Sequence, residues 1–357
     1  AERFYLGDIL TTEGENWECC PRHFLRRALA ALRETAGLTI RAAFEQEFVY
    51  SGADYRVGPS YSLQRLRQAA GFGEALLAAI REAGASPDSF LPEYGPGQFE
   101  VTVAPEDGLR AADEAVIVRE MARAVALRVG QRVTFAPMLE PEGVGNGTHI
   151  HFSLCDEAGT PAMHDRSAAY ELGEKPARFA AGILHHLPAI TAVTAPAFVS
   201  YARLTPNRWA PTWTNLGFRD RGAALRVCPV FAPDSPTDAA QQFHLEYRVC
   251  DAAASPYMAL GAMVWAGVDG LRQNMALPPP PARGFWDMSE ADRRASGARL
   301  LPQSLDEALH ALSGTAAARE WFGDLFLDVY LRFKRAELRA LDGIDAAAIF
   351  ARYAEAY

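Results

Sequence analysis

The stretch "AAFEQEFVY", Ala42–Tyr50, reads as a strand with a contradiction inside it. Phe44, Phe48, Val49 and Tyr50 are the aromatic and β-branched residues that strands favour. Glu45 and Glu47 stand two residues apart within it, so both leave the same face. If that face is core, two carboxylates are buried together and each disfavours the other's ionisation. If it is solvent, the pair needs no explanation.

The same peculiarity recurs along the chain. "GNGTHIHFSL", Gly145–Leu154, places His149 and His151 on one strand face, with Ile150 and Phe152 opposite. "HLEYRVCD" puts Glu246 and Arg248 together, and "LPEYGPGQFEV" supplies Glu93 before a Gly-Pro-Gly turn and Glu100 after it. A solvated sheet alternates apolar residues with Lys, Ser and Thr. Four strands that carry Glu and His instead point to one shared cleft. Five carboxylates and an imidazole there would repel unless divalent cations neutralise them, and such oxygen-rich ligation suits magnesium or manganese better than zinc.

Arginines supply the complementary half. "SYARLTPNRWAP" and "GFRDRGAALRVCP" hold Arg203, Arg208, Arg219, Arg221 and Arg226. Guanidinium forks grip carboxylate and phosphate oxygens at two points. There is no G-x-x-x-x-G-K-[ST] loop and no G-x-G-x-x-G. Phosphate binding is therefore expected to be metal-centred.

Composition bounds the rest. The 357 residues are 49% hydrophobic and 22% charged, an ordinary globular balance with ample material for a core. A net charge of -9 argues against a nucleic-acid partner read by a basic face. The longest apolar run, Pro256–Val268, is too short for a bilayer, so no membrane partner is expected. Cys19, Cys20, Cys155, Cys228 and Cys250 are odd in number and lack C-x-x-C spacing. They read as reduced structural thiols in a cytoplasmic protein, not as a zinc site.

Periodicity and end signals predict helices over Pro21–Gly37, Leu63–Glu82, Leu109–Val129, Arg178–Val193, Ser255–Asn274, Leu305–Leu312, Glu320–Leu341 and Ala346–Tyr357. Strands are predicted over Phe4–Ile9, Leu38–Tyr50, Phe99–Ala104, Arg132–Met138, Gly147–Cys155, Ala223–Val227 and Leu245–Cys250. The "LPPPPA" run, Leu277–Ala282, reads as an extended surface connection. The expectation is an α+β fold, an antiparallel sheet with helices on one side, and an even composition places no domain boundary within 1–357.

The ordered set "FEQEF", "EYGPGQFE", "GNGTHIHFSL", "RLTPNRWAP", "RDRGAALRVCP" and "EYRVCDAAASPYMAL…AGVDGL" resembles the catalytic domain of glutamine synthetase and its relatives, from about Gly7 to the C-terminus. The resemblance implies the curved half-barrel sheet shared with guanidino kinases, ATP, two or more Mg2+ or Mn2+ ions, and a homo-oligomer. It implies Glu47, Glu93 and Glu100 as ligands of the substrate-side metal. Glu45, His149 and Glu246 match the ligands of the metal at the ATP phosphates. Arg203 and Arg248 match positions that grip the glutamate carboxylates, beside Gly145. Arg221 and Arg226 match the arginines on the transferring phosphoryl group, and His151 and Ser153 match the nucleotide side.

The implied activity is ATP-dependent phosphorylation of a glutamate side-chain carboxylate, followed by displacement of phosphate by an amine. Ammonia-using members carry a flap glutamate where "PNRWAP" has Trp209. An indole cannot take a proton but offers an apolar and cation-π surface. That favours a glutamate–amine ligase acting on an organic amine, such as a polyamine or monoamine. Glutamine synthetase proper and a non-catalytic relative are the alternatives. Val144 stands for a frequent asparagine, Ser255-Pro256 for Asn-Pro, and His244 for a basic residue on the nucleotide side. The family's small N-terminal β-grasp domain is expected to be absent from this chain.

Overall fold

A computed structural model describes residues 5–53, 58–281 and 283–357. Phe4 of the predicted first strand and Ala282 of the proline run lie outside the described residues. The strands are β1 (Leu38–Tyr50), β2 (Pro87–Pro92), β3 (Gln98–Val103), β4 (Glu106–Asp107), β5 (Val133–Thr134), β6 (Thr148–Asp156), β7 (Leu216–Phe218), β8 (Leu225–Val227) and β9 (Leu245–Tyr247). The first six helices are α1 (Pro21–Ala36), α2 (Leu63–Gln68), α3 (Ala70–Glu82), α4 (Gly108–Arg128), α5 (Glu174–Thr194) and α6 (Ser200–Arg203). The rest are α7 (Pro236–Gln242), α8 (Pro256–Arg272), α9 (Glu290–Ala295), α10 (Leu305–Gly314), α11 (Ala316–Phe322), α12 (Asp324–Arg339) and α13 (Ala346–Ala356).

One sheet runs β2-β3-β1-β6-β9-β8-β7, with β4 and β5 also pairing with β1, and it does not close into a barrel. Every pairing is antiparallel except β7 with β8, which is parallel, so the sheet is mixed rather than purely antiparallel. The exception arises because the Arg219–Ala224 loop carries the chain back to run beside β7 in the same direction.

The alternation along β1 settles which way its carboxylates face. Leu38, Ile40, Ala42, Phe44 and Phe48 are buried, while Glu45 and Glu47 on the other side are only partly covered. Phe44 and Ile40 join a core built with α1, α4, α5 and α8, so the helices cover one face and the acidic residues line the other. Gln46 also points to the helix side, where its amide donates to the Ala115 carbonyl and accepts from Arg119 Nε at 2.7 Å.

Helix α1 starts at Cys20, whose sulfur accepts from His23 N–H, has Pro21 in its first turn, and stops at Gly37 with φ +65°. The layer behind the sheet is tightest between α5 and α8. A Cβ on Gly182 would lie 2.2 Å from the Ala266 carbonyl oxygen, and one on Gly270 would lie 2.2 Å from that of Arg178. The two backbones can touch only because both side chains are absent.

Several predicted elements are corrected. Residues 5–9 form no strand; Ile9 N–H is spent on the Cys20 sulfur, and Tyr5 is wholly exposed. The strand predicted over Arg132–Met138 shrinks to β5, since Phe135 N–H turns away to the Tyr357 carbonyl and Pro137 has no N–H to give. The helix over Leu63–Glu82 breaks at Ala69 into α2 and α3. The one over Glu320–Leu341 breaks at Gly323, whose φ of +79° no helix accommodates.

Candidate active site

Strands β1, β3, β6 and β9 deliver their exposed-face residues to one cleft of about 410 Å³. Glu45, Glu47, Glu93, Glu100, His149 and Glu246 all line it, together with Gly145, Arg203, Trp209, Arg221, Arg226 and Arg248. His151 and Ser153 open instead into an adjoining cavity of about 320 Å³, which shares Glu45 with the cleft and adds Arg41 and His244. Arg219 lies over the Phe218 ring and does not line the cleft.

Strand register produces the convergence. Glu45 pairs with His149 across β1 and β6, Glu47 with Glu100 across β1 and β3, and Glu246 with His151 across β9 and β6. Glu93 closes the set from the turn between β2 and β3, where its N–H donates to the Gln98 carbonyl. His149 Nδ1 lies 2.6 Å from Glu45 Oε1, and His151 Nε2 lies 3.1 Å from Glu45 Oε2. Gly147 is required on this edge: a Cβ there would sit 2.9 Å from His149 Nε2 and 2.7 Å from an Arg203 nitrogen. The Gly147 N–H donates to Glu47 Oε2 at 2.7 Å.

The carboxyls fall into two electrostatic groups. Burial works against the charge on Glu45, but His149 and His151 outweigh it and hold the group well below the usual range. Burial likewise opposes Glu246, yet His149, Arg248 and His151 bring it down to about 2. On the other side, burial and then Glu47 push Glu93 up to about 7. Burial followed by Glu45, Glu47 and Glu93 pushes Glu100 up to about 10. Two acids that keep protons near neutrality mark a cluster short of positive charge.

Arginines bind the opposite wall. Arg226 donates to Glu246 Oε2 at 2.7 Å and Arg248 to Glu246 Oε1. Arg248 also reaches the Trp209 carbonyl at 3.3 Å, tying the flap to the sheet. Arg203 is buried and gives both terminal nitrogens to the carbonyls of Val249 and Arg248, which fixes the strand end carrying Arg248. Arg208 spends its donors on the carbonyls of Gly143 and Pro141 and so joins two loops at the rim.

Some participants escaped sequence reading. Gln98 Nε2 reaches Glu47 Oε2, the Gly145 carbonyl and Asn146 Oδ1 at 2.9–3.3 Å, bracing the substrate-side carboxylates. Tyr94 packs edge-on against Trp209 with ring centres 4.6 Å apart, and Tyr61 lies 6.3 Å from Tyr94. The only sequence signal for Tyr94 was its place next to Glu93, and Tyr61 had none.

The donor set fits divalent cations. One ligand atom each from Glu45, Glu47 and His149 lie within 4.8 Å of one another, as do those of Glu45, His151 and Glu246. Both groups share Glu45, and neither follows the division into two ligand triads that the resemblance implied. Oxygen-rich sites with one imidazole suit Mg2+ or Mn2+.

An acidic, arginine-fringed cleft on an open sheet is the kind of surface on which an enzyme handles phosphate groups with metal ions. Residues 18–353 match the family described as glutamine synthetase, catalytic domain. The chain belongs to that family, and with it to the ATP-dependent carbon–nitrogen ligases. It is 37% identical to the gamma-glutamylpolyamine synthetase GlnA3 of Streptomyces coelicolor over 97% of its own length and 75% of that protein's. It is 32% identical to a glutamine synthetase of Mycolicibacterium smegmatis, over 92% of this chain and 74% of the relative. A crystal structure described as a novel glutamine synthase homolog superposes with a TM-score of 0.88 at 38% identity, covering 98% of this chain and 78% of the other. A GmaS/ADP complex gives 0.79 at 25% identity, covering 94% and 77%.

Proposed function

We propose that the chain joins the side-chain carboxylate of glutamate to an organic amine by way of γ-glutamyl phosphate. The observation that carries this reading is Trp209 at the mouth of the cleft, edge-on to Tyr94. Trp209 is 63% exposed, Tyr61 59% and Tyr94 44%, so the aromatic faces remain open to a ligand. Such rings attract a protonated amine and its alkyl chain, and none of them can deprotonate ammonium. The likeness to a gamma-glutamylpolyamine synthetase supports the same choice.

Glu45, Glu47, Glu93, Glu100, His149 and Glu246 would hold two or more Mg2+ or Mn2+ ions. When bound, those ions and ATP supply positive charge at the phosphate oxygens and the phosphoryl group that makes the carboxylate a competent electrophile. The remaining roles belong to the chain. Arg248, braced by Arg203, orients the glutamate beside Gly145. Arg221 and Arg226 stabilise charge gathering on the transferred group without reorganising, because Arg226 is already fixed by Glu246. His151 and Ser153 serve the nucleotide side, in the adjoining cavity whose walls include Ala43, Val103 and Pro105. Trp209 and Tyr94 exclude water and seat the amine.

The same reading treats residues 1–357 as one catalytic unit that works as a homo-oligomer in the cytoplasm. Leu325, Val329 and Phe333 recur every four residues along α12 and are exposed, an apolar stripe suited to a subunit contact. All five cysteines are unpaired, and among the described residues no helix is long and apolar enough to cross a membrane.

Phosphate release with Mg-ATP and glutamate tests the proposal. Turnover should be faster with a polyamine or monoamine than with ammonium. Equal or faster turnover with ammonium would favour the second reading, glutamine synthetase proper, which the 32% identity to such an enzyme keeps in play. No turnover with any amine would favour a non-catalytic relative.

A further inference from the structure

Along the chain the cysteines have no metal-ligand spacing, but the fold brings Cys228 to two imidazoles. His151 lies on β6, His244 immediately precedes β9, and Cys228 immediately follows β8, on three neighbouring strands. One donor atom from each of the three lies within 4.8 Å of the other two. His244 Nε2 is 3.1 Å from His151 Nδ1, and Cys228 Sγ is 4.0 Å from the same nitrogen.

The hydrogen bonds around the rings decide what these nitrogens offer. His151 Nε2 faces Glu45 Oε2 at 3.1 Å, and His244 Nδ1 faces the Gln242 carbonyl at 2.7 Å. A carboxylate and a carbonyl only accept, so each ring spends its N–H there. With both rings neutral, His151 Nδ1 and His244 Nε2 are then two lone pairs facing each other across 3.1 Å. They repel unless a cation lies between or beside them, either a proton or a metal. An outer-side carboxylate or carbonyl on each imidazole is also how metal-ligating histidines are held.

We propose that His151, Cys228 and His244 form a site for a borderline-soft divalent ion of the zinc class, next to the oxygen-rich cluster in the cleft and joined to it through His151. Tetrahedral zinc, with bonds of about 2.0 Å to nitrogen and about 2.3 Å to sulfur, sets nitrogen–nitrogen and nitrogen–sulfur edges of about 3.3 and 3.5 Å. The two observed separations lie within about half an ångström of those edges. Glu246 Oε2 is 3.8 Å from Cys228 Sγ but is engaged by Arg226, so it is not counted among the ligands. Magnesium prefers oxygen ligands and does not compete for a thiolate. Since His151 also contacts Glu45, an ion here fixes the one imidazole that both sites share.

Cobalt(II) tests this in the whole protein with excess Mg2+ present. Uptake should saturate a thiolate-to-cobalt charge-transfer band in the near ultraviolet at one equivalent, and zinc should displace it. Cys228→Ser should abolish the band. His244→Ala should keep a band but lower the affinity by more than about tenfold. Circular dichroism checks each fold, and His244→Arg gives an independent variant if Cys228→Ser misfolds. No thiolate band, or a band unchanged in these variants, would overturn the proposal and leave a proton as the bridge between the rings.

Discussion

Glu47 and Glu100 are direct register partners across β1 and β3, two carboxyls side by side on the cleft wall. Like charges placed opposite each other destabilise a sheet. The structure relieves the conflict by pushing Glu100 up to about 10, first by burial and then through Glu45 and Glu47. Glu100 is thus a neutral acid at pH 7 until a cation arrives. Glu100→Gln, which imitates the protonated form, should therefore leave ion-free stability within about 0.5 kcal/mol of wild type. Wild type should gain about 3 kcal/mol from Mn2+ at a hundred times its dissociation constant, and the variant much less. Thermal unfolding in chelator and in Mn2+ measures both, and equal gains in the two proteins would remove Glu100 from the ion site.

Trp209 has a left-handed backbone, φ +52°, and its ring is exposed at the rim, so replacing it should cost the fold little. Trp209→Ala should raise KM for an organic amine roughly tenfold, the worth of about 1–2 kcal/mol of cation–π contact, with kcat little changed. Trp209→Glu should raise the relative rate with ammonium. An amine KM that stays at the wild-type value in Trp209→Ala would separate the flap from amine binding.

Asp251 is fully buried, and burial pushes it up to about 6 against the pull of Arg203. A folded value above the unfolded one of 3.8 means the native state holds this proton more tightly. The contribution is complete below about pH 4 and is lost as pH rises through about 6, amounting to ~3 kcal/mol. Asp251→Asn lacks that term. Its stability relative to wild type should improve by about that amount between pH 4 and 7, read from denaturant unfolding at several pH values. A constant difference across the range contradicts the assignment.

Between α5 and α8 there is no room for a methyl group at Gly182, whose Cβ would meet the Ala266 carbonyl at 2.2 Å. Gly182→Ala should destabilise the protein by about 1–3 kcal/mol despite the better helix propensity of alanine. A chemical denaturation midpoint at or above wild type would show that the two helices separate without cost.

The acidic face was legible in the sequence because strand alternation is strict: Glu45 and Glu47 could only share a side, opposite Phe44 and Phe48, although the alternation alone did not say which side is covered. The helical layer was legible where apolar periodicity ran unbroken, as in α1 and α8. What the chain order hid were features made by tertiary contact. The parallel β7–β8 pair depends on a loop's path, and the break at Gly323 looked like one more glycine in a helical pattern. Tyr61 reaches the cleft from a turn, where no periodicity points a side chain, whereas Gln98 opens β3 on the same face as Glu100 and was missed because an uncharged amide gave no signal of its own. Cys228 meets His244 from just before the next strand in sequence and His151 from 77 residues away, so short-range spacing rules for metal ligands could not reveal the cluster.

The central claim is that this acidic wall exists to hold divalent ions. Calorimetric titration of ion-free protein with Mn2+ measures it directly. Wild type should bind at least two ions that Mg2+ displaces, and Glu47→Ala should lose at least one while keeping a native circular dichroism spectrum. Failure of the wild-type protein to bind Mn2+, or an unchanged stoichiometry in Glu47→Ala, would contradict the account.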